Sequence, residues 1–234
     1  DLARDGMLNL DGFLRPEAAL AEAAAHAPKM ASESFNHARH HNIYFKKSLP
    51  DLDEDHPALK LHETSNNTLC SDQLTGSRVA QIYQWPPFVA FLAEVMEKDK
   101  LHPMADPLAA FNVMAYAEGQ ALNWHFDRSE FTVTLLLQAP EIGGIFEYRT
   151  DLRTADDPNY DGVADLLNGQ DPLMRQMNVM PGTLNVFKGV NTPHRVTQVQ
   201  GPRARMIAVL TYYERQGAMF TQTEQLGFYG RTTS

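Results

Sequence analysis

The pattern of hydrophobic and polar positions changes near Pro107 and divides the chain into a helical part and a strand-rich part. In the helical part, Pro16 suits a first helical turn, and the alanine-rich stretch Glu17–Ala25 has high helix propensity. A second helix is predicted after Asp72. A third begins near Pro86–Pro87, and the apolar residues that follow have the spacing of one buried helix face: Phe88, Phe91, Leu92 and Val95.

Two other segments of this part have no helical pattern. Within residues 6–14, apolar and polar residues alternate between two glycines, which predicts a short strand. Residues 32–69 are polar and weakly periodic, so we expect mostly loop. Their neighbouring histidines, His37, His40 and His41, have no acidic or cysteine partner at a recognisable spacing. That favours a solvated loop over a second metal site.

Beyond Pro107, short runs rich in β-branched, aromatic and leucine residues recur between glycines, prolines and asparagines. The predicted strands are Phe111–Tyr116, Phe131–Leu137, Gly144–Tyr148, Thr183–Phe187 and Arg205–Tyr213. Several strands at this spacing indicate a β-sandwich or barrel. A polar, aspartate-rich insertion, Thr150–Pro172, interrupts them. The expected fold class is α+β and mainly β, with helices packed against the β core.

Length and composition indicate one ordinary globular domain. The chain has 234 residues, of which 43% are hydrophobic and 21% charged. We expect helical support over residues 1–107, a β core over 108–215 and a C-terminal tail over 216–234.

Charge and cysteine content limit the binding partners and the cellular compartment that we expect for the protein. A net charge of -9 argues against a nucleic-acid partner, which requires a basic surface. No apolar run approaches the length of a membrane span, so no membrane partner is expected. Cys70 is the single cysteine, which excludes an intramolecular disulfide, and no signal-peptide pattern opens the chain. These features favour a cytoplasmic protein.

The candidate chemistry starts at Asn123-Trp124-His125-Phe126-Asp127. Residues two apart in a strand point to the same face, so His125 and Asp127 can reach one metal together. His194, after the strand predicted over Thr183–Phe187 and the turn at Gly189, is the best candidate for a third ligand. Two histidines and one carboxylate leave open positions on a six-coordinate iron, as in non-haem Fe(II) oxygenases.

An ordered set of short motifs follows Asp127, and each is weak alone. They are Gly143-Gly144-Ile145-Phe146, the segment Pro181–Gly189, His194-Arg195-Val196, and Arg203-Ala204-Arg205. In this order they resemble the 2-oxoglutarate/Fe(II)-dependent oxygenase family of non-haem iron dioxygenases. The resemblance covers about residues 111–214. It implies a double-stranded β-helix core, which is a jelly roll of the cupin type, with Fe(II), 2-oxoglutarate and O2 as cofactor and cosubstrates.

The same resemblance implies the reaction and the catalytic residues. Oxidative decarboxylation of 2-oxoglutarate to succinate and CO2 would be coupled to attack on an unactivated C–H bond, with His125, Asp127 and His194 holding the iron. In the family, an arginine at the start of the last barrel strand binds the far carboxylate of 2-oxoglutarate. Arg203 and Arg205 both qualify. We favour Arg205, because it directly begins the last predicted strand.

The individual residues of these motifs are also similar to those of one branch of the family. That branch contains small-molecule and free-amino-acid oxygenases, including halogenases. In the halogenases, glycine or alanine replaces the carboxylate of the triad, and halide takes the vacant position. This sequence retains Asp127. We therefore expect hydroxylation or desaturation rather than halogenation.

Substrate residues are less clearly marked. Arg128 follows the triad aspartate, and Tyr229 and Arg231 lie in a tail that either folds over the site as a lid or frays. Together with Arg149, these arginines favour a small polar acid such as an amino acid as substrate. Three alternatives stay open: an oxygenase acting on a protein side chain, a zinc isomerase or hydrolase with the same ligands, and a binding module without chemistry.

Overall fold

The computed structural model describes residues 2–49 and 52–233. Its strands are β1 Met7–Leu10, β2 Phe35–His41, β3 His62–Cys70, β4 His102–Pro103, β5 Phe111–Tyr116, β6 Leu122–His125, β7 Thr132–Gln138, β8 Phe146–Tyr148, β9 Arg175–Met177, β10 Leu184–Phe187, β11 His194–Val196, β12 Arg205–Leu210 and β13 Tyr212–Tyr213. Its α-helices are α1 Leu2–Asp5, α2 Pro16–Glu33, α3 Arg78–Gln84, α4 Pro86–Val95, α5 Tyr160–Leu167 and α6 Gln222–Tyr229, and 3-10 turns span Pro57–Leu59 and Ser71–Leu74.

Two antiparallel sheets enclose a cavity. The large sheet has seven strands in the order β1-β10-β7-β12-β5-β3-β2, and the small sheet has four in the order β6-β11-β8-β9. Strands β4 and β13 form a separate two-stranded pair. Residues of both main sheets line the cavity between them. The predicted α+β, mainly β class is confirmed.

Strand β7 shows how the large sheet separates core from cavity. Its alternate residues Val133, Leu135 and Leu137 are buried in the main hydrophobic core, which includes Ala23 of α2 and Leu92 of α4. The intervening side chains, Thr132, Thr134 and Leu136, line the cavity. This alternation is the period-2 pattern of a strand whose two faces have different environments. The helices therefore cover the outer face and leave the inner face for a ligand.

The prediction of mostly loop for residues 32–69 is wrong in two places. Strands β2 and β3 occupy parts of this segment and pair with each other at the edge of the large sheet. On β2, partly buried residues alternate with exposed ones. The cavity-facing residues of this pair are polar, among them His37 and Asn66. Both faces of the pair therefore carry polar residues, and the hydrophobic alternation that indicates a strand is absent.

Several other boundaries differ slightly from expectation. The helix predicted after Asp72 begins at Arg78, where the Ser77 side chain accepts the N-terminal hydrogen bond, and a 3-10 turn precedes it. The insertion Thr150–Pro172 contains α5, which starts at the side-chain cap of Asn159. Strand β5 has the predicted bounds. Among the described residues, no helix combines the length and apolar character needed to cross a membrane.

Candidate metal centre

His125 and His194 face each other across neighbouring strands of the small sheet. They are direct register partners on β6 and β11, and their ring centroids lie 4.2 Å apart. Both residues are buried. His194 thus lies on a strand of its own, just beyond the turn at Gly189. Strand pairing brings together two histidines that are distant in sequence.

Asp127 completes the cluster, although it lies outside the strand. Strand β6 ends at His125, so the expectation that one strand carries both residues is wrong, and the chain stays close because the Asp127 N–H donates to the Gly189 carbonyl oxygen at 3.1 Å. The Asp127 Oδ1 atom lies 3.3 Å from His125 Nε2, and Oδ2 lies 3.6 Å from His194 Nε2. The three side chains offer ligand atoms within 4.8 Å of one another, which suits one metal ion.

Backbone carbonyls orient both imidazoles. Nδ1 of His125 lies 2.9 Å from the Asn123 carbonyl oxygen, and Nδ1 of His194 lies 3.0 Å from that of Thr192. A carbonyl oxygen only accepts, so each Nδ1 carries the proton. Each Nε2 then has a free lone pair pointing at the cluster. Such outer partners fix the tautomer and the ring orientation of metal-binding histidines.

Two further residues position the Asp127 carboxylate. The Thr132 hydroxyl donates a hydrogen bond to Oδ2. Gly189 gives the carboxylate room, because a Cβ at this position would lie 2.2 Å from Oδ2. No other residue type fits there without displacing the carboxylate.

The charges of the cluster match a cation site. Burial raises the pKa of Asp127, but His194, His125 and the Thr132 hydroxyl outweigh it and hold the pKa below its ordinary value. Burial lowers the pKa of His194 to about 4. One carboxylate and two imidazoles on one side of a cavity leave room for further ligands, which is the facial arrangement of non-haem iron sites.

The cavity also holds Arg205. The volume of this cavity is about 200 Å³. Arg205 is buried, and its guanidinium forms no ion pair or hydrogen bond with another described residue. Burial lowers its pKa to about 10, so the guanidinium stays positive at neutral pH. Arg203, the other candidate, is exposed and does not line the cavity. An unpaired buried guanidinium fits the far carboxylate of 2-oxoglutarate, since burying a charge without a partner is costly.

The candidate substrate residues lie in different places. Tyr229 is buried and lines the cavity, and its hydroxyl donates to Asn112 Oδ1 at 3.0 Å. Arg128 is exposed and pairs with Glu224. The other two candidate arginines also have acidic partners and lie outside the cavity lining: Arg149 pairs with Asp171, and Arg231 with Asp72.

The C-terminal tail folds back onto the cavity through α6, where Phe228 and Tyr229 line it. Gln225, buried on this helix, donates to Asp106 Oδ2 at 2.8 Å. The helix ends at Tyr229 and is capped by Gly230, whose φ of 67° and close approach to the Phe35 ring exclude a side chain. No helix was predicted from the sequence in this tail, although Thr221 and Glu224, which form a capping box in the structure, have the spacing that could have indicated one.

Sequence reasoning missed the wall that β2 and β3 add to the cavity. Its lining residues include His37, Arg39, Thr64, Asn66 and Thr68. His41, buried next to this wall, has its Nε2 2.7 Å from the Thr64 hydroxyl and does not join the metal cluster. The alternation His37, Arg39, His41 was the available signal, but polar residues at period two also occur in loops.

Comparison with known proteins identifies the family and the fold. The family model described as HalD, halogenase D, matches residues 55–225. No curated protein matches the chain by sequence. Three solved structures show the fold.

An oxidoreductase of the 2OG-Fe(II) oxygenase family from Burkholderia pseudomallei is 14% identical with a TM-score of 0.53, over 93% of this chain and 89% of that chain. AviO1 from Streptomyces viridochromogenes Tue57 is 16% identical with a TM-score of 0.59, over 92% and 93%. The non-haem alpha-ketoglutarate-dependent epimerase SnoN from nogalamycin biosynthesis is 15% identical with a TM-score of 0.58, over 90% and 79%.

At these identities the structures establish a shared fold, and the predicted double-stranded β-helix is confirmed. The resemblance to 2-oxoglutarate-dependent non-haem iron oxygenases, and to their halogenase-containing branch, is confirmed at the level of family and fold. Because the family model covers most of the chain, the protein belongs to the halogenase D family and has the fold of the 2-oxoglutarate/Fe(II) oxygenases.

Proposed function

We propose that the protein is an Fe(II)- and 2-oxoglutarate-dependent oxygenase that hydroxylates a C–H bond of a small polar metabolite. The observation that carries this proposal is the placement of Arg205. It lies unpaired in the same cavity as a three-residue metal cluster, and a non-redox zinc enzyme with the same ligands has no need of it.

Four residues of the cavity have a defined part in this proposal. His125, Asp127 and His194 hold Fe(II), and Arg205 binds the far carboxylate of 2-oxoglutarate. When bound, the iron and cosubstrates supply the oxidation of the C–H bond, with release of succinate and CO2. The protein itself orients the ligands and limits access of water, since both histidines of the cluster are buried.

Asp127 supports hydroxylation over halogenation, although the family is named for a halogenase. Its carboxylate lies between both histidines, held by Thr132 and accommodated by Gly189. The position that halide takes in halogenases of this fold is therefore filled. The cavity of about 200 Å³ is below the usual 300–1,000 Å³ range of ligand pockets, which limits what reaches the metal cluster to a small molecule or a single side chain. The screen below therefore includes peptides beside small metabolites.

The test is coupled turnover. Purified protein with Fe(II), 2-oxoglutarate and O2 is screened with small metabolites and peptides, and succinate formation and O2 uptake are measured together. We expect certain small polar metabolites to raise both equally and to gain one oxygen atom by mass spectrometry. Stimulation by peptides alone would exclude a small-molecule substrate. An activity supported by Zn(II) without O2 uptake would exclude the oxygenase.

The retained carboxylate gives a sharper test of reaction type. We expect Asp127→Gly to open a halide site and to lower iron affinity, because it removes a charged ligand. Asp127→Asn, which keeps the side-chain volume, is the matched control without a vacancy. Visible spectra of each variant with Fe(II), 2-oxoglutarate and chloride provide the measurement. An Asp127→Gly protein that binds iron without any chloride-dependent change would contradict this expectation.

A further inference from the structure

Arg39 on β2 is a second cation in the cavity without a partner. It lines the same cavity as Arg205, and its guanidinium forms no ion pair or hydrogen bond with another described residue. Its Nε atom is buried and lacks an acceptor. Buried polar atoms of native proteins are nearly always hydrogen-bonded, so an orphan of this kind requires an explanation.

Aromatic rings hold the Arg39 side chain in place. Its guanidinium carbon lies 4.5 Å from the centroid of Phe45 and 5.8 Å from that of Phe228 on α6. Such contacts favour a cation over an aromatic face and fix its plane, but they leave the N–H groups free to donate. The aromatic contacts therefore position the arginine while its N–H groups remain without hydrogen-bond acceptors.

The position of Arg39 is suited to a substrate. The Phe45 ring that contacts it also lies 5.8 Å from the ring of His125, centroid to centroid. Arg39 is thus separated from a metal ligand by a single aromatic side chain. Because Arg39 and the three residues of the metal cluster line one cavity, a molecule bound to this arginine would share that cavity with the metal.

Charge balance within the cavity points in the same direction. Among the described residues that line it, Asp127 is the sole carboxylate, and Arg39 and Arg205 are the cations. The charge of Fe(II) matches that of the 2-oxoglutarate dianion, and Asp127 matches Arg205. Arg39 remains as the uncompensated charge of the loaded site.

We propose that Arg39 binds a carboxylate of the primary substrate and thereby sets which part of the molecule faces the metal centre. This inference rests on the proposed oxygenase function and names the substrate class as small carboxylic acids. A planar guanidinium matches a carboxylate with two parallel hydrogen bonds. Asn66, buried on β3, and His37 on β2 line the same wall and supply neutral polar contacts beside it. The exposed Arg128, paired with Glu224, is not needed for this contact.

Binding without turnover tests the proposal. The protein is loaded with Zn(II) and 2-oxoglutarate, and saturation-transfer NMR detects binding from a library of small carboxylates, amines, primary amides and neutral alcohols. Arg39→Gln is compared with Arg15→Gln, which removes the same charge at a side chain that is 84% exposed, outside the cavity. Titration of 2-oxoglutarate into each Zn(II)-loaded protein is measured separately.

We expect carboxylates to dominate the bound compounds of the wild-type protein. Arg39→Gln should weaken the tightest acid by about 10- to 100-fold, the loss typical of a hydrogen-bonded charge. It should leave 2-oxoglutarate affinity unchanged, and Arg15→Gln should change neither.

The contrary outcomes are distinct. Binding of mainly neutral or cationic compounds, absence of any bound carboxylate, or equal acid affinity in Arg39→Gln would overturn the role of Arg39. Failure of the Zn(II)-loaded wild-type protein to bind 2-oxoglutarate would instead overturn the proposed function. The selectivity of the wild-type protein for acids over amides needs no variant, so the proposal stays testable if Arg39→Gln is unstable.

Discussion

The two ends of the cavity differ in how completely their polar groups are paired. At the metal end, backbone carbonyls hold both histidines, and Thr132 holds the Asp127 carboxylate. At the opposite wall, formed by β2, β3 and α6, Arg39 has no polar partner among the described residues. A site that always receives the same ion gains from rigid outer contacts. A wall that receives a substrate keeps donors available.

Removal of a metal ligand should have the largest effect. His125→Ala or His194→Ala should abolish iron-dependent turnover, since loss of a mere outer partner already costs about 10- to 100-fold in affinity or activity. The fold should persist, because both rings line the cavity. Iron stoichiometry, succinate formation and thermal unfolding are the measurements. Substantial turnover in either variant would remove that histidine from the metal end.

Loss of the buried arginine should come next. Arg205→Gln should raise the 2-oxoglutarate concentration required for turnover by about 10- to 100-fold, because it removes a charge-assisted hydrogen bond. Arg203→Gln is the matched control, two residues away and exposed, and should have little effect. The KM for 2-oxoglutarate decides between them. The reverse ranking would assign the cosubstrate to Arg203.

Loss of the threonine contact should be milder. Thr132→Val keeps the shape of the side chain but removes the hydroxyl that holds Asp127 Oδ2, so iron affinity should fall by about tenfold. Thr134→Val, at the next cavity-facing position of β7, is the control for polarity. Competition with a metal indicator measures both. Equal iron affinity in the two variants would mean that the Thr132 contact does not matter for the metal end.

The smallest effect is expected at the opposite wall. Tyr229→Phe removes a hydrogen bond to Asn112 and leaves a buried acceptor unpaired, which should lower the free energy of unfolding by about 1–3 kcal/mol. Iron affinity should not change. Urea unfolding and iron titration measure the two quantities. A parallel fall in iron affinity would show that the two ends of the cavity are energetically coupled.

The same contrast explains what the sequence could predict of the fold. Strand β5 was predicted at its true bounds because its residues are apolar except for Asn112 and most of its positions are buried. Strands β2 and β3 were not, because polar residues such as His37 and Asn66 face the cavity where a buried strand would present apolar residues to the core. Hydrophobic patterning detects surfaces that are packed on protein. It does not detect surfaces that are kept for a ligand.

The residues of the site also divide into those that the sequence predicted and one that it did not. His125, Asp127, His194 and Arg205 were predicted because they fall in short motifs with a recognisable order. Arg39 was missed because it lies in a segment without hydrophobic alternation, which long-range pairing of β2 with β3 brings to the cavity. Its missing partner is also a property of three-dimensional packing, and no local spacing encodes it.

The direct pairing of His125 with His194 has a consequence for folding. Strands β6 and β11 are far apart in the chain, and closing such a loop costs entropy before any contact repays it. A slip of one residue in this pairing would turn one imidazole to the opposite face of the sheet. High-affinity metal binding therefore requires correct register, so the time course of metal uptake during refolding would report when these two strands find each other.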